Sequence, residues 1–398
     1  MRRVLMKKLL TSLIIILSIS TVFATDGDQM IGVTALQWAR GGAIVASPVD
    51  IPSIIYNPAA IGELPFKNLG FDLSLGVLNP PRKITSMVGT TESNSNLYLG
   101  MGNGFGARFS DKILIGIAAG GVAGMGVDFP STTLPDNPGT PFAENTSIVT
   151  KKGLLKIVPT IAYKANEKLT IGVSLQIGQQ SLALKTPGFT LPQTEAYGFG
   201  GAIGVIYHLN NKIQAGLSYI SKMDVSEYSF NGTSPSAGEG EYKLDMDSPQ
   251  SVAFGLALKL NMKLMIETDV KWYNFSDVMD RADLITPSGN VIPLNFGWDD
   301  QMVYAIGVNV KPKPGMCIKV GYNYGATPIG SEDVDSNLGS IAVMEHHISI
   351  GITKKWNAKC ASTLSFTHGF HNEVQSSATP NKIEAEQNIA FFQLSFRL

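Results

Sequence analysis

Amphipathic segments with a period of two residues constrain the fold of this sequence most strongly. In residues 251–260, Val252, Phe254, Leu256 and Leu258 alternate with small or polar residues. Side chains of a β-strand point alternately to opposite faces, so this pattern predicts a strand with one apolar face. The sequence from residue 67 onward contains fourteen such segments, at 67–78, 95–109, 112–125, 152–165, 168–182, 197–209, 212–228, 250–260, 263–276, 299–312, 315–325, 344–356, 359–371 and 385–398.

The segments favour a membrane barrel over a soluble sandwich. Many are longer than the strands of soluble proteins, which average about 5–6 residues. Their polar face carries mostly Gly, Ala and Ser with few charged residues, as in Ser251, Ala253 and Gly255. Only 16% of the 398 residues are charged, whereas soluble proteins have about 25%. A large part of the surface is therefore expected to avoid water.

The connections between the segments alternate strictly in length. The short ones include Ser110-Asp111, Asn210-Asn211 and Asn261-Met262, and the long ones are 79–94, 126–151, 183–196, 229–249, 277–298, 326–343 and 372–384. Outer-membrane barrels have short periplasmic turns and long external loops, whereas a sandwich does not sort its loops in this way. The sequence therefore predicts an all-β fold, a transmembrane antiparallel β-barrel of 14 strands with both ends in the periplasm.

The residues before the barrel divide into two parts. Residues 1–24 have a basic start, an apolar run and Val22-Phe23-Ala24, which suits cleavage after Ala24. They predict a Sec signal peptide and export to the cell outer membrane. Residues 25–66 lack the strand pattern but are rich in apolar residues such as Ile54, Ile55 and Ile61. We expect this second part to form a plug, or hatch, inside the barrel of residues 67–398.

Several function classes are excluded by the composition and motifs. The formal net charge of −1 gives no basic excess for nucleic-acid binding. The sequence has no phosphate-binding glycine loop, no Cys-x-x-Cys pair and no Gly-x-Ser-x-Gly motif, so we expect no catalytic residues and no cofactor.

His346 and His347 point to opposite faces of a strand and cannot share a metal. Cys317 and Cys360 lie on strands 11 and 13, too far apart for a disulfide.

Several motifs, in this order, resemble the FadL/TodX family of outer-membrane transporters. The first are Gly41-Gly42-Ala43 and Tyr56-Asn57-Pro58-Ala59-Ala60, which resemble the family's N-terminal hatch. They are followed by Asp269 with Trp272, by Trp298-Asp299-Asp300, and by the stretch Gly321-Tyr322-Asn323-Tyr324. The resemblance covers essentially the whole chain after the signal peptide. In contrast to the family, 183–196 is a short third external loop.

The resemblance implies a function and a set of partners. It implies uptake of hydrophobic small molecules, either long-chain fatty acids or aromatic hydrocarbons. External loops would capture the ligand, the hatch would move, and the ligand would leave sideways through the barrel wall. The expected partners also include outer-membrane lipid, lipopolysaccharide and the barrel assembly machinery, which would read the terminal strand ending at Leu398. The protein is expected to act as a monomer.

Three groups of residues are candidates for this task. Apolar loop residues that could contact the ligand are Phe129, Leu134, Phe142, Phe189 and Leu191, with Leu284, Ile285 and Ile292 as further candidates. Lys156, Lys271 and Lys319 face inward and could bind a carboxylate, unless they form salt bridges with Glu267 or Asp269. Gly41, Gly42, Asn57, Pro58 and Ala59 are candidates for hatch shape or gating. Gly120 and Gly121 could mark a kink in strand 3.

Two other functions remain open from the sequence. A diffusive porin would need an open lumen lined with charged residues, which a plug would block. A scaffold or secretion-associated barrel could share the fold without transporting anything, because a fold alone does not determine function.

Overall fold

The barrel contains fourteen long strands, as the computed structural model of residues 26–130 and 147–398 shows. They are β1 (Leu69–Asn79), β2 (Tyr98–Arg108), β3 (Ile113–Phe129), β4 (Ile148–Lys164), β5 (Leu169–Thr186), β6 (Phe189–His208), β7 (Ile213–Ile220), β8 (Ser251–Lys259), β9 (Leu264–Tyr273), β10 (Gln301–Val310), β11 (Met316–Gly325), β12 (His346–Lys355), β13 (Cys360–Gln375) and β14 (Lys382–Arg397). Each strand pairs antiparallel with the next, and β14 pairs with β1. The strand number and the closed barrel are confirmed. The signal peptide of residues 1–24, Leu134 and Phe142 lie outside the described residues.

The strands β3 to β6 extend further outward than the sequence pattern indicates. The expected loop 183–196 is wrong, because β5 and β6 continue as a hairpin that turns at Pro187-Gly188. Its inward side chains Leu182, Leu184 and Leu191 are buried, and this burial stabilises strand pairing beyond the membrane. Conversely, the segment 212–228 ends as a strand at Ile220, and a short strand, Asp224–Val225, pairs separately with β6.

The outer surface of the barrel is apolar and its inner surface is polar. In β8, Val252, Phe254 and Leu256 are 38%, 46% and 41% exposed, whereas Ser251 and Ala257 are buried. The same alternation puts Ser349, Thr367 and Gln393 inside the barrel. A soluble protein has the opposite distribution, with apolar side chains inside and polar ones outside. The distribution seen here places the apolar face against lipid.

Residues 26–66, here called the N-terminal segment, lie inside the barrel. They contain helix α1 (Ala35–Trp38), a 3-10 helix (Ile51–Ile55) and helix α2 (Ala60–Glu63). Thr34 caps α1 and Asp50 caps the 3-10 helix, each accepting a backbone N–H. Nearly every residue of the segment is buried. Among the described residues, none of the helices is long and apolar enough to cross a membrane.

External loops cover the opposite end from the short turns. They contain helix α3 (Ser276–Met279), a 3-10 helix (Val334–Asn337) and the strands Arg82–Ser86, Gly89–Glu92, Asp224–Val225, Tyr228–Ser234, Gly238–Leu244, Arg281–Ile285 and Val291–Asn295. Trp298 Nε1 donates to Asn337 Oδ1 at 2.8 Å, and Asn337 Nδ2 donates to the Phe296 carbonyl at 2.6 Å. The loop 326–345 is thereby fixed over the mouth of the barrel.

One carboxylate in this loop ties it to the last external turn. Asp335 accepts hydrogen bonds from three side chains of residues 376–381. Burial raises the pKa of the Asp335 carboxyl, but these hydrogen bonds outweigh that effect and hold the pKa below its ordinary value. The carboxylate therefore stays ionised and keeps the two loops together.

Candidate ligand-binding cavity

Three ion pairs join the N-terminal segment to the barrel wall. Arg40 Nη1 lies 2.8 Å from Glu267 Oε2 on β9. Lys152 Nζ on β4 lies 2.8 Å from Asp28 Oδ2, and both side chains are 2% exposed. Glu63 contacts His208 Nε2 at 2.7 Å and accepts a hydrogen bond from Thr170. Such buried charges need partners, so the sequence-level interpretation that lysines would pair with Glu267 is wrong: Arg40 takes that carboxylate.

Gly41 and Gly42 allow the segment to approach the wall closely. Both have positive φ, 60° and 79°, which glycine adopts without strain. A Cβ atom on Gly41 would lie 2.8 Å from the Tyr322 backbone, and one on Gly42 would lie 2.7 Å from the Ile31 carbonyl. The Gly-Gly pair therefore holds the fold of the segment against β11.

Asn57, Pro58 and Ala59 form a turn against β5 and β6. Asn57 Nδ2 donates to the Val45 carbonyl at 2.8 Å, and Asn57 Oδ1 accepts from the Ala59 N–H at 3.0 Å. Gly172 and Gly204 leave the room for this turn, since a Cβ atom on either would collide with Pro58 or Asn57. The amide thus satisfies backbone groups that have no strand partner.

A cavity lies between the N-terminal segment and strands β3, β4 and β7 to β9. In this conformation it is partly open and leaves about 30 Å³ of free space, enough for one or two water molecules. Val45, Ile55, Val122 and Ile220 supply apolar walls. Two tyrosines, Tyr56 and Tyr273, and two lysines, Lys156 and Lys271, also line it, together with Gln29 and small residues of β7 and β8. An apolar cavity with a few converging polar groups is the usual form of a small-molecule site.

The two lysines in the cavity differ in their partners. Lys271 Nζ donates to the Gly42 carbonyl at 2.9 Å and lies 5.8 Å from the centre of the Tyr56 ring. Among the described residues, Lys156 Nζ makes no hydrogen bond and no ion pair, although the residue is only 6% exposed. Asp269 is taken by the backbone N–H groups of Ile44 and Val45 at 2.7 and 3.0 Å. Among the described residues, neither lysine has a carboxylate within ion-pair distance, although Lys271 interacts electrostatically with Asp26 and Asp269, and Lys156 with Asp28.

Lys319 lies apart from the other two lysines. It is buried on β11, where its Nζ donates to Thr353 Oγ1 at 2.6 Å. It does not line the cavity. The structure therefore brings together Lys156 and Lys271 but leaves Lys319 outside.

Next to the cavity, the seam between β2 and β3 is incomplete. Their pairing runs from Arg108 with Leu114 to Gly102 with Gly120 and stops there. On its other side, β3 shifts register against β4 between Gly121 and Ala123, so that Val122 forms a bulge. The irregularity falls directly after Gly120 and Gly121, the two residues that sequence analysis selects as a kink.

The N-terminal segment covers this seam from inside. Met30 N–H donates to the Val122 carbonyl at 2.8 Å, and the Gly124 N–H donates to the Asp28 carbonyl at 2.8 Å. Gln29 and Val122 also line the cavity. Residues 26–30 therefore stand between the cavity and the unpaired part of the wall. Sequence patterns could not reveal this contact, because it joins residues almost one hundred positions apart.

The apolar loop candidates pack together near the outer end. Phe129, Leu191 and Leu284 are fully or almost fully buried, and Phe189 is 9% exposed. They belong to one apolar cluster that Ile292 also contacts, and Ile285 is half-buried. These side chains stabilise the loops in this conformation, and none of them lines the cavity.

A possible metal-ligand group lies at the outer end of β13 and β14. The ligand atoms of His371, Glu373 and Glu384 lie within 4.8 Å of one another. Lys382 Nζ, however, lies 2.8 Å from Glu373 and 3.4 Å from Glu384. The ammonium group already neutralises both carboxylates, so the arrangement is an ion-pair network.

Comparison with known proteins decides the family. The family model of "Outer membrane protein transport protein (OMPP1/FadL/TodX)" matches residues 17–391. The chain belongs to the OMPP1/FadL/TodX family. It is therefore an outer-membrane transport protein, as the family resemblance of its motifs predicts. No match was found among curated proteins.

Solved structures of other proteins share the fold. The toluene transporter TodX of P. putida has a TM-score of 0.77 at 20% identity, over 92% of this chain and 99% of TodX. The toluene transporter TbuX of Ralstonia pickettii has a TM-score of 0.74 at 17% identity, over 95% and 100% of the two chains. A FadL homologue of Pseudomonas aeruginosa has a TM-score of 0.74 at 13% identity, over 93% and 98%.

Proposed function

We propose that this protein takes up hydrophobic molecules that carry a carboxylate, such as long-chain fatty acids. The observation that carries the proposal is the pair Lys156 and Lys271 in an otherwise largely apolar cavity. Because the cavity is small in this conformation, a fatty acid would enter it only as the N-terminal segment moves, and its carboxylate would then bind the two ammonium groups. Charge-assisted hydrogen bonds of this kind are the strong ones in proteins.

The exit route in this proposal is the seam between β2 and β3. The ligand would enter from the external loops, occupy the cavity, and displace residues 26–30 from the edge of β3. The incomplete pairing beyond Gly102 and Gly120 supports this route. A molecule that leaves there enters the membrane without crossing the polar lumen. The cavity and the seam lie within one chain, so the protein would act as a monomer.

Uptake of labelled oleate by cells that lack their own fatty-acid porin tests the proposal. We expect the wild-type protein to support uptake. Lys156→Met and Lys271→Met should each raise the half-saturating oleate concentration about tenfold, since a hydrogen bond to a charged group is worth about 1.5–3 kcal/mol. Lys319→Met is the matched control, because Lys319 is a buried lumen lysine outside the cavity, and it should leave uptake unchanged.

Toluene is the second ligand class, because two proteins of the same fold are described as toluene transporters. An uncharged arene gains nothing from the two ammonium groups. If the barrel folds and admits toluene but not oleate, or if the two cavity variants behave as the control does, the carboxylate proposal is wrong. A folded barrel that admits neither ligand would favour a scaffold.

A further inference from the structure

The short turns at the periplasmic end repeat one local motif. In Asn166-Glu167-Lys168, Asn166 Oδ1 accepts the backbone N–H groups of Lys168 and Leu169 at 2.8 and 3.0 Å. Asn210, Asn261 and Asn357 do the same in their turns, and Ser110 Oγ replaces the amide in the first turn. Because the third residue is lysine each time, five turns place an exposed lysine at the same position: Lys112, Lys168, Lys212, Lys263 and Lys359.

Further lysines next to these turns complete a basic ring. They are Lys164, Lys259, Lys311, Lys313, Lys354 and Lys355. Among the described residues, no lysine of the ring forms an ion pair. The exposed carboxylates in these five turns and in the sixth turn, between β10 and β11, are Asp111 and Glu167. The outer end differs, because Lys83, Lys222, Lys243 and Lys382 are paired with carboxylates, and only Lys151 and Lys185 of the described residues there form no ion pair. Uncompensated positive charge is therefore concentrated at the periplasmic end.

The ring lies directly below the lipid-facing belt of the barrel. Phe109, Met262 and Trp356 are 74%, 94% and 58% exposed and lie in or beside the same turns. Lys354 Nζ lies 4.0 Å from the centre of the Trp356 ring. Aromatic side chains at this level mark the interface between hydrocarbon and headgroups, so the ammonium groups are at headgroup depth.

We propose that the ring binds the headgroups of anionic phospholipids in the inner leaflet of the outer membrane. Lysines close to a membrane surface attract anionic lipid, and their long aliphatic stems let the charge reach the headgroup. The turns place these lysines around the whole circumference of the barrel, whereas a protein partner would contact only one side of it. Lipid is the partner that surrounds a barrel on all sides. This binding is independent of what the protein transports.

Quenching of Trp356 by brominated lipids tests the proposal. In the Trp272→Phe variant, Trp356 is the membrane-facing tryptophan, because Trp38 and Trp298 are buried. The variant is placed in phosphatidylcholine vesicles that contain a small fraction of brominated phosphatidylglycerol or brominated phosphatidylcholine. We expect brominated phosphatidylglycerol to associate with the Trp356 site about threefold more strongly, and high salt to remove the difference.

Two controls isolate the ring. The double substitution Lys355→Gln and Lys359→Gln should lower the preference, with Lys354 still beside Trp356, while the barrel keeps its folded mobility on an unheated gel. In the reciprocal variant Trp356→Phe, the reporter is Trp272 at the outer end, where its Nε1 donates to Asp300, and no preference is expected. Equal quenching of Trp356 by the two brominated lipids would overturn the proposal, whether or not the protein transports oleate.

Discussion

At the scale of single residues, the ion pair between Arg40 and Glu267 joins the N-terminal segment to β9. The Arg40 side chain also donates to Asn309 at 3.0 Å and to the Ser47 carbonyl at 2.9 Å. Arg40→Met would leave the Glu267 carboxylate buried without its cation. We expect this variant to lower the free energy of unfolding by about 3–5 kcal/mol, the usual cost of breaking a buried pair. Urea unfolding of the refolded protein measures it.

The double variant Arg40→Met with Glu267→Leu separates charge from packing. Replacing both members of a buried ion pair by apolar residues is often neutral, so the double variant should recover most of the lost stability. If it is as unstable as the single variant, the packing of the arginine stem is what matters and the charge argument fails.

The same pair shows what a single sequence can and cannot predict at this scale. The alternation of side chains correctly places Lys156, Lys271 and Lys319 inside the barrel, because a charged side chain on the lipid face is costly. It cannot predict which of these charged side chains form ion pairs with each other, because the partners come from strands and loops far apart in the chain. Arg40 and Glu267 are 227 residues apart, and nothing local links them.

At the scale of elements, the membrane determines how well strands can be predicted. A strand in lipid must alternate and must pair, so the fourteen segments can be recognised from the sequence. Above the membrane this constraint ends, and the hairpin of β5 and β6 continues because Leu182, Leu184 and Leu191 find apolar partners in other loops. The bulge at Val122 is likewise held by the Met30 N–H, which donates to the Val122 carbonyl. Gly120 and Gly121 indicate an irregularity in the strand but not this contact.

Deletion of Val122 tests what the bulge in β3 does. The deletion lets Gly121 and Ala123 follow each other in register with Leu155 and Leu154, so the ladder to β4 becomes continuous. It also removes the carbonyl that accepts the Met30 N–H. We expect a folded barrel whose oleate uptake falls to the level of cells without the protein. Uptake and heat-dependent gel mobility are measured on the same cells.

The matched control is a second bulge on a strand that does not line the cavity. β13 carries one extra residue against β14 between Gly369 and Asn372. Deletion of His371 makes that ladder regular and should leave uptake unchanged. Equal loss of uptake in both deletions would mean that the effect comes from general disturbance of the wall, and unchanged uptake in the Val122 deletion would exclude the seam as the exit.

At the scale of the whole molecule, the barrel and its N-terminal segment depend on each other. The inner wall carries buried polar groups on most strands, such as Asp72 on β1, Asp269 on β9 and Gln393 on β14. These three side chains accept backbone N–H groups of Ile51, Ile44 with Val45, and Leu36 respectively. The wall therefore supplies hydrogen-bond acceptors for backbone N–H groups of a segment that has no regular secondary structure there. In return, the segment excludes water from the polar lumen.

Removal of residues 26–66 should therefore turn the closed barrel into an open pore. The strands would lose their hydrogen-bond and ion-pair partners in residues 26–66. Water would then hydrate the charged groups of the wall, so none of them would be buried without a partner. In planar bilayers we expect steady ion conductance from the deletion variant and little from the intact protein. A variant that lacks only the external hairpin residues 229–243 should stay closed, because its N-terminal segment is retained. A deletion variant that folds but does not conduct would show that the external loops alone can close the lumen, and the N-terminal segment would then no longer be the permeability barrier.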